Sequence, residues 1–188
     1  MKNINDIFDN FFKINIYKNN LTYLSIVFYD ELNPKYIEQI NNLKCLEILK
    51  IEAYKSAQKQ KFVIKSESLR ILDVKYCYGV IVEPSVKNLK ILKVFGDIYL
   101  NENCCKNLEE LFIYSSMDLT NYSFTNLKYL EIKKMSDFDF ILSNINLQSC
   151  NKLEILNLDD FDYLREKNIN IKIEYFKTLL FIKTLKEI

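Results

Sequence analysis

One phrase recurs along this chain and constrains its fold more than any other feature. It is an apolar residue, two variable ones, a second apolar residue, one variable, then a third apolar residue. It reads in turn LTYLSI, LEILKI, LRILDV, LKILKV, LEELFI, LKYLEI and LEILNL. The anchors are Leu21, Leu24, Ile26; Leu46, Leu49, Ile51; Leu69, Leu72, Val74; and Leu89, Leu92, Val94. They continue as Leu108, Leu111, Ile113; Leu127, Leu130, Ile132; and Leu153, Leu156, Leu158. Successive starts lie about 25, 23, 20, 19, 19 and 26 residues apart, the period of a stacked repeat architecture. The second and third anchors alternate with variable residues, as in a strand with one face turned inward. A further apolar residue stands three positions before many first anchors: Leu43, Val86, Cys105, Phe124 and Cys150.

This pattern resembles the leucine-rich-repeat family over approximately residues 21 to 188. The resemblance implies an α/β fold: a right-handed solenoid with a concave parallel β-sheet and an irregular or helical convex side. The residue three positions before the first anchor would close the convex wall onto the core. Cys105 with Leu108, and Cys150 with Leu153, are similar to the C-x-x-L-x-x-L phrase of the cysteine-containing subfamily, common in substrate-recognition subunits of ubiquitin ligases. The chain departs from the family eight residues after the first anchor, where Asn or Cys usually satisfies backbone groups at the turn. Here those sites are Tyr29, Tyr54, Cys77, Asp97, Ser116, Met135 and Phe161. Only Cys77 fits, so the polar ladder at this position is mostly missing.

Between the strands, NPKYIEQINNL carries Asn33 as a cap, Pro34 at the first turn, and Ile37, Ile40 and Leu43 at helical spacing. Phe138 to Gln148 suits another short helix. The units starting at Leu89 and Leu108 leave about ten residues for the return path, so extended or 3₁₀ segments are expected there. Lys61 to Lys65 and Asn168 to Ile173 alternate like strands. Residues 1–20 are expected to form an N-terminal capping segment, with a helix over residues 4–12 on Ile4, Ile7, Phe8, Phe11 and Phe12. The repeat domain is read as 21–188. Residues 176–188 fit a capping helix or a degenerate last repeat starting at Leu179 or Leu185. The absence of a polar cap there leaves room for end-to-end self-association.

The composition narrows the chemistry. The 188 residues include no histidine, which removes the commonest general base and metal ligand. Gly79 and Gly96 are the only glycines, too few for a phosphate-cradling loop. Asp159, Asp160 and Asp162 lack the ligand spacing of a calcium loop. No catalytic activity, metal or cofactor is expected. A formal net charge of +1 provides no global field for nucleic acid or an anionic membrane. The chain shows no signal peptide and no membrane span, and five cysteines without a C-x-x-C pair suit a reducing, intracellular compartment.

A binding role on the concave face is what remains. If the family geometry holds, the variable strand positions bring Tyr76, Phe95, Phe112, Tyr114 and Tyr129 together in mid-array, flanked by Lys75, Lys93, Lys133 and Lys134. Aromatics rimmed by charge have the composition of an interaction hot spot. The same rings also suit cross-strand packing on the sheet, and both readings stand. The expected function is a non-catalytic protein–protein interaction module for a protein or peptide. The alternatives are a substrate-recognition component of a ubiquitin-ligase-type complex and a self-assembling repeat protein.

Overall fold

The structure, a computed structural model, describes residues 19–114, 119, 121–133 and 149–158, together with the backbone of 181–184. The seven recurring phrases become neighbouring strands: β1 (Tyr23–Phe28), β2 (Ile48–Ala53), β4 (Ile71–Val82), β5 (Ile91–Tyr99), β6 (Glu110–Ile113), β7 (Tyr129–Ile132) and β8 (Ile155–Leu158), and β9 (Phe181–Thr184) follows them. They lie side by side in chain order, and β3 (Phe62–Ile64) pairs with the far half of β4. Every pairing in this nine-stranded sheet is parallel. The chain is thus an α/β protein built on a parallel sheet.

The register follows from the anchors. Leu24, Leu49, Leu72, Leu92, Leu111, Leu130 and Leu156 stand opposite one another across successive strands, as do the third anchors from Ile26 to Leu158. A one-residue slip would turn every anchor to the other face, so burial of one face enforces this alignment. Leu49, Leu72, Leu92, Leu111, Leu130 and Leu156 are fully buried. Each contributes roughly 1.5–3 kcal/mol relative to an exposed side chain. The first anchors Leu46, Leu69, Leu89, Leu108, Leu127 and Leu153 are buried just before the strands, and Leu43, Val86, Cys105, Phe124 and Cys150 close the core behind them. Ser66 takes that last place in the Leu69 unit and is also buried, sharing a hydrogen bond with Ser68. Strand β9 sets Ile182 beside Leu156 and Thr184 beside Leu158, the register of a unit whose first anchor is Leu179.

The connections differ from unit to unit. Helix α1 (Pro34–Asn41) forms where expected, with Asn33 Oδ1 accepting from the Lys35 N–H at 3.0 Å and Pro34 in the first turn. Tyr36 and Ile40 are its buried residues. A 3₁₀ turn (Lys55–Lys59) leads into β3, which covers the alternating stretch read as a strand. The unit starting at Leu89 corrects the expectation of extended or 3₁₀ structure: it contains α2 (Glu102–Asn107), a six-residue α-helix. The short return path suffices because Asn101 both caps the helix and ties it down. Its Oδ1 accepts from the Cys104 N–H, and its Nδ2 donates to the carbonyls of Val82 and Glu83. Cys104 and Cys105 then both reach the core.

A side-chain amide ladder exists after all, but on the approach to the strands. Asn88 Nδ2 donates to the Glu67 carbonyl at 2.9 Å, Asn107 to Lys87 at 2.7 Å and Asn126 to Lys106 at 2.8 Å. Ser68 Oγ does the same toward Leu46 at 2.9 Å. Each residue stands directly before a first anchor and satisfies a carbonyl of the preceding unit. The helices expected over residues 4–12 and Phe138 to Gln148, the strand over Asn168 to Ile173, and most of 176–188 lie outside the described residues. Among the described residues, no helix is long and apolar enough to cross a membrane.

Candidate functional site

The outward face of the sheet carries the aromatic residues. Their arrangement begins with a backbone irregularity in β4. Lys75 pairs with Phe95 and Cys77 with Gly96, so Tyr76 is an extra residue bulged between them. Its φ of 57° places it in the left-handed region, uncommon for a non-glycine residue and costly by roughly 1–3 kcal/mol. The bulge sets the Tyr76 ring between its neighbours on the two adjoining units, with centroids 5.3 Å from Tyr54 and 4.6 Å from Phe95. Tyr54 in turn stacks on Tyr29 at 5.2 Å, and Phe95 on Tyr114 at 6.4 Å. Five rings therefore run in a continuous row across five units, at the spacing of parallel strands.

A second, shorter group lies closer to the strand starts. Phe112 and Tyr129 pack at 5.0 Å, and the Lys93 ammonium sits 4.4 Å from the Phe112 centroid. Lys133 stands 5.2 Å over the Tyr114 ring. Each contact of this kind contributes about 0.5–1 kcal/mol where exposed.

Glu131 joins the two groups. It lies on the outward face of β7, yet is only 8% exposed. Its carboxylate accepts from the Tyr114 hydroxyl at 2.8 Å, the Tyr129 hydroxyl at 2.7 Å and Asn157 Nδ2 at 2.8 Å. The Lys133 ammonium is 3.7 Å away. Burial opposes the charge, but those three hydrogen bonds and the ammonium outweigh it and hold the carboxyl below its usual range. Burial, reinforced by the bond to Glu131, lifts the Tyr114 and Tyr129 hydroxyls above the ordinary phenol range. Tyr54 shows the same chemistry at the surface: its hydroxyl donates to Glu52, which pushes it up to about 12.

No protein-family model, curated protein or solved structure matches this chain.

The five residues singled out from sequence are thus placed in two sets. Tyr76, Phe95 and Tyr114 belong to the long row, whereas Phe112 and Tyr129 form the second group, and Glu131 bridges them. Of the flanking lysines, Lys93 and Lys133 touch the rings, and Lys134 lies outside the described residues. Sequence reasoning left out Tyr29 and Tyr54, which extend the row, and Glu131 and Asn157, which fix it. The first two were visible as aromatics at the turn position where Asn or Cys was expected.

Two shallow cavities lie on the same face, over β1, β2, β4, β5 and the start of β6. One, of about 180 Å³, is lined by Ser25, Lys50, Glu52, Asp73 and Lys75 among others. The second, of about 230 Å³, has Ile48, Ile71 and Ile91 along its wall with Lys93 and Glu110. Both mix charges of each sign with apolar surface.

Proposed function

We propose that the chain is a leucine-rich-repeat solenoid that works as a non-catalytic protein–protein interaction module, its outward sheet face receiving a protein or peptide. The observation that carries this reading is the row Tyr29, Tyr54, Tyr76, Phe95 and Tyr114, which spans five units on that face. A large aromatic surface on a rigid sheet provides contact area with little conformational entropy left to lose. Tyr29 is 53% exposed and Tyr23, on the same face of β1, is 47% exposed. Partly open aromatics of this kind, rimmed by lysine and glutamate, match the make-up of an interface core and its rim. The solenoid reading is supported by the in-register stacking of sequential units and by the side-chain ladder from Ser68 to Asn126. The lack of any histidine supports the non-catalytic one.

The test is affinity capture from the native cell extract with the wild-type chain and with Phe95→Ala/Phe112→Ala. Neither ring makes a side-chain hydrogen bond, so the double variant should keep the fold, as circular dichroism would verify. Partners retained by the wild type and lost by the folded variant support the reading. An identical partner set on both rejects this face as the binding surface.

A further inference from the structure

A carboxylate on the solvent side of a sheet ordinarily stays in water, because burying its charge is costly. Glu131 does the opposite. Its β7 position pairs with Phe112 on one side and Asn157 on the other, so its side chain emerges among the aromatics. Three donors converge on it: Tyr114 directly after β6, Tyr129 from its own strand, and Asn157 from β8. Asn157 is itself only 5% exposed and also lies 3.4 Å from the Tyr129 hydroxyl. The two tyrosines belong to different ring groups, and no ring contact joins those groups among the described residues. The Glu131 carboxylate is the link between them.

We infer that Glu131 is the positioning residue of this surface: its buried carboxylate fixes Tyr114 and Tyr129 in one arrangement and fuses the two aromatic groups into a single preorganised recognition patch. The inference rests on the interaction-module reading for its biological sense, but its physical content stands on the free protein. A tyrosine ring held at its hydroxyl end and packed on one face has lost its rotamer freedom before a partner arrives. That freedom otherwise costs roughly 0.5–1.5 kcal/mol per side chain on binding. Both hydroxyl protons point inward to the carboxylate, and the Tyr129 oxygen accepts from Asn157 Nδ2, so it is the Tyr114 oxygen that a partner meets as an acceptor. The surface therefore favours a contacting group that donates, such as a backbone amide or an amine.

The chain labelled with ¹³Cζ-tyrosine provides the test, with Glu131→Gln as the first variant. The amide keeps the size of the side chain and removes the charge. The expected result in the folded variant is a shift of the Tyr114 and Tyr129 signals, with their titration midpoints moved downward. Tyr78 and Tyr99, exposed and distant in sequence from the network, should stay unchanged. A loss of stability with both signals unmoved would reduce Glu131 to a structural residue and overturn the inference. Should the amide variant not fold, Tyr114→Phe tests the same point. If the two hydroxyls share one carboxylate, removing one shifts the other, and an indifferent Tyr129 signal overturns the coupling. Any protein retained by the wild-type chain should bind Glu131→Gln about tenfold more weakly. If the wild type retains no protein, the interaction reading fails, and the tyrosine signals still decide the role of Glu131.

Discussion

The carbonyl oxygen of Cys77 occupies the space that a side chain on Gly96 would need: a Cβ built there falls 2.1 Å from it. Gly96 also has a φ of 149°, a conformation that L side chains rarely adopt. Both features lie at the bulge, where Cys77 pairs with Gly96 directly after the extra residue of β4. Gly96→Ala should therefore cost about 3 kcal/mol, read as a lower urea midpoint. A cost under about 0.5 kcal/mol would mean that the two strands separate there without penalty.

Tyr76 separates backbone strain from ring packing. Tyr76→Ala removes the contacts to Tyr54 and Phe95 but keeps a side chain in the left-handed region. Tyr76→Gly removes the same contacts and relieves the strain. The glycine variant should be more stable than the alanine variant by about 1 kcal/mol. Equal denaturation midpoints would show that the bulge relaxes when the ring is lost.

The bulge also explains what the sequence hides. Relative to each first anchor, the rings of the row occur at unequal offsets: Tyr29 and Tyr54 come eight residues on, Tyr76 seven, Phe95 and Tyr114 six. A reading by strand position brings Tyr76, Phe95 and Tyr114 together, and the three-dimensional packing adds Tyr29 and Tyr54 to them. The strands themselves were legible because the second and third anchors from Leu49 to Leu158 are buried, which holds them at period 2. Glu131 was not, because its residue type predicts a solvated surface position and two of its partners, Tyr114 and Asn157, come from neighbouring units. The helix α2 was missed for a related reason. Its stability depends on the bonds from Asn101 to Val82 and Glu83 more than on the short segment's own propensity.

The amide ladder was overlooked although Asn88, Asn107 and Asn126 stand in plain view before Leu89, Leu108 and Leu127. Asn107 Nδ2 donates to the Lys87 carbonyl at 2.7 Å, and the position is partly exposed, so Asn107→Ala should cost about 0.5–1 kcal/mol. Asn107→Asp should cost at least as much, since a carboxylate cannot donate and would face the carbonyl with a negative charge. Thermal denaturation of both variants checks this. An aspartate variant as stable as the wild type would show that the bond contributes nothing.

Acid should weaken the Glu131 network in a defined window. Its folded carboxyl lies below the usual range, so the proton binds the unfolded state more tightly. The stability it contributes is present above the ordinary glutamate value of about 4.3 and disappears as pH falls through the lower folded value. Glu131→Gln removes this dependence. The gap in stability between wild type and variant, about 1–2 kcal/mol at neutral pH, should narrow by pH 3. Urea titrations at both pH values measure it, and a gap that widens in acid would contradict the assignment.

The cysteines give the last prediction, and it runs in the alkaline direction. Burial pushes the Cys77, Cys104 and Cys150 thiols up to about 12, and Cys105 higher still. Cys45 is exposed. Since the thiolate is the reactive form, iodoacetamide at neutral pH should modify Cys45 rapidly in the folded chain, and all five cysteines only after denaturation. The raised values carry a stability consequence of fixed sign. Unfolded thiols ionise near about 8.5, so the folded state's advantage is complete below that pH. It declines as pH rises toward 12 and the unfolded chain alone sheds its protons. The lifted hydroxyls of Tyr114 and Tyr129 act in the same direction from about 10 upward. The melting temperature should therefore fall between pH 8 and pH 10.5, and Cys104→Ser should not remove the fall, because Cys105, Cys77 and Cys150 share it. Rapid modification of more than one thiol in the folded protein would mean that the layer behind the sheet opens far more often than its complete burial implies.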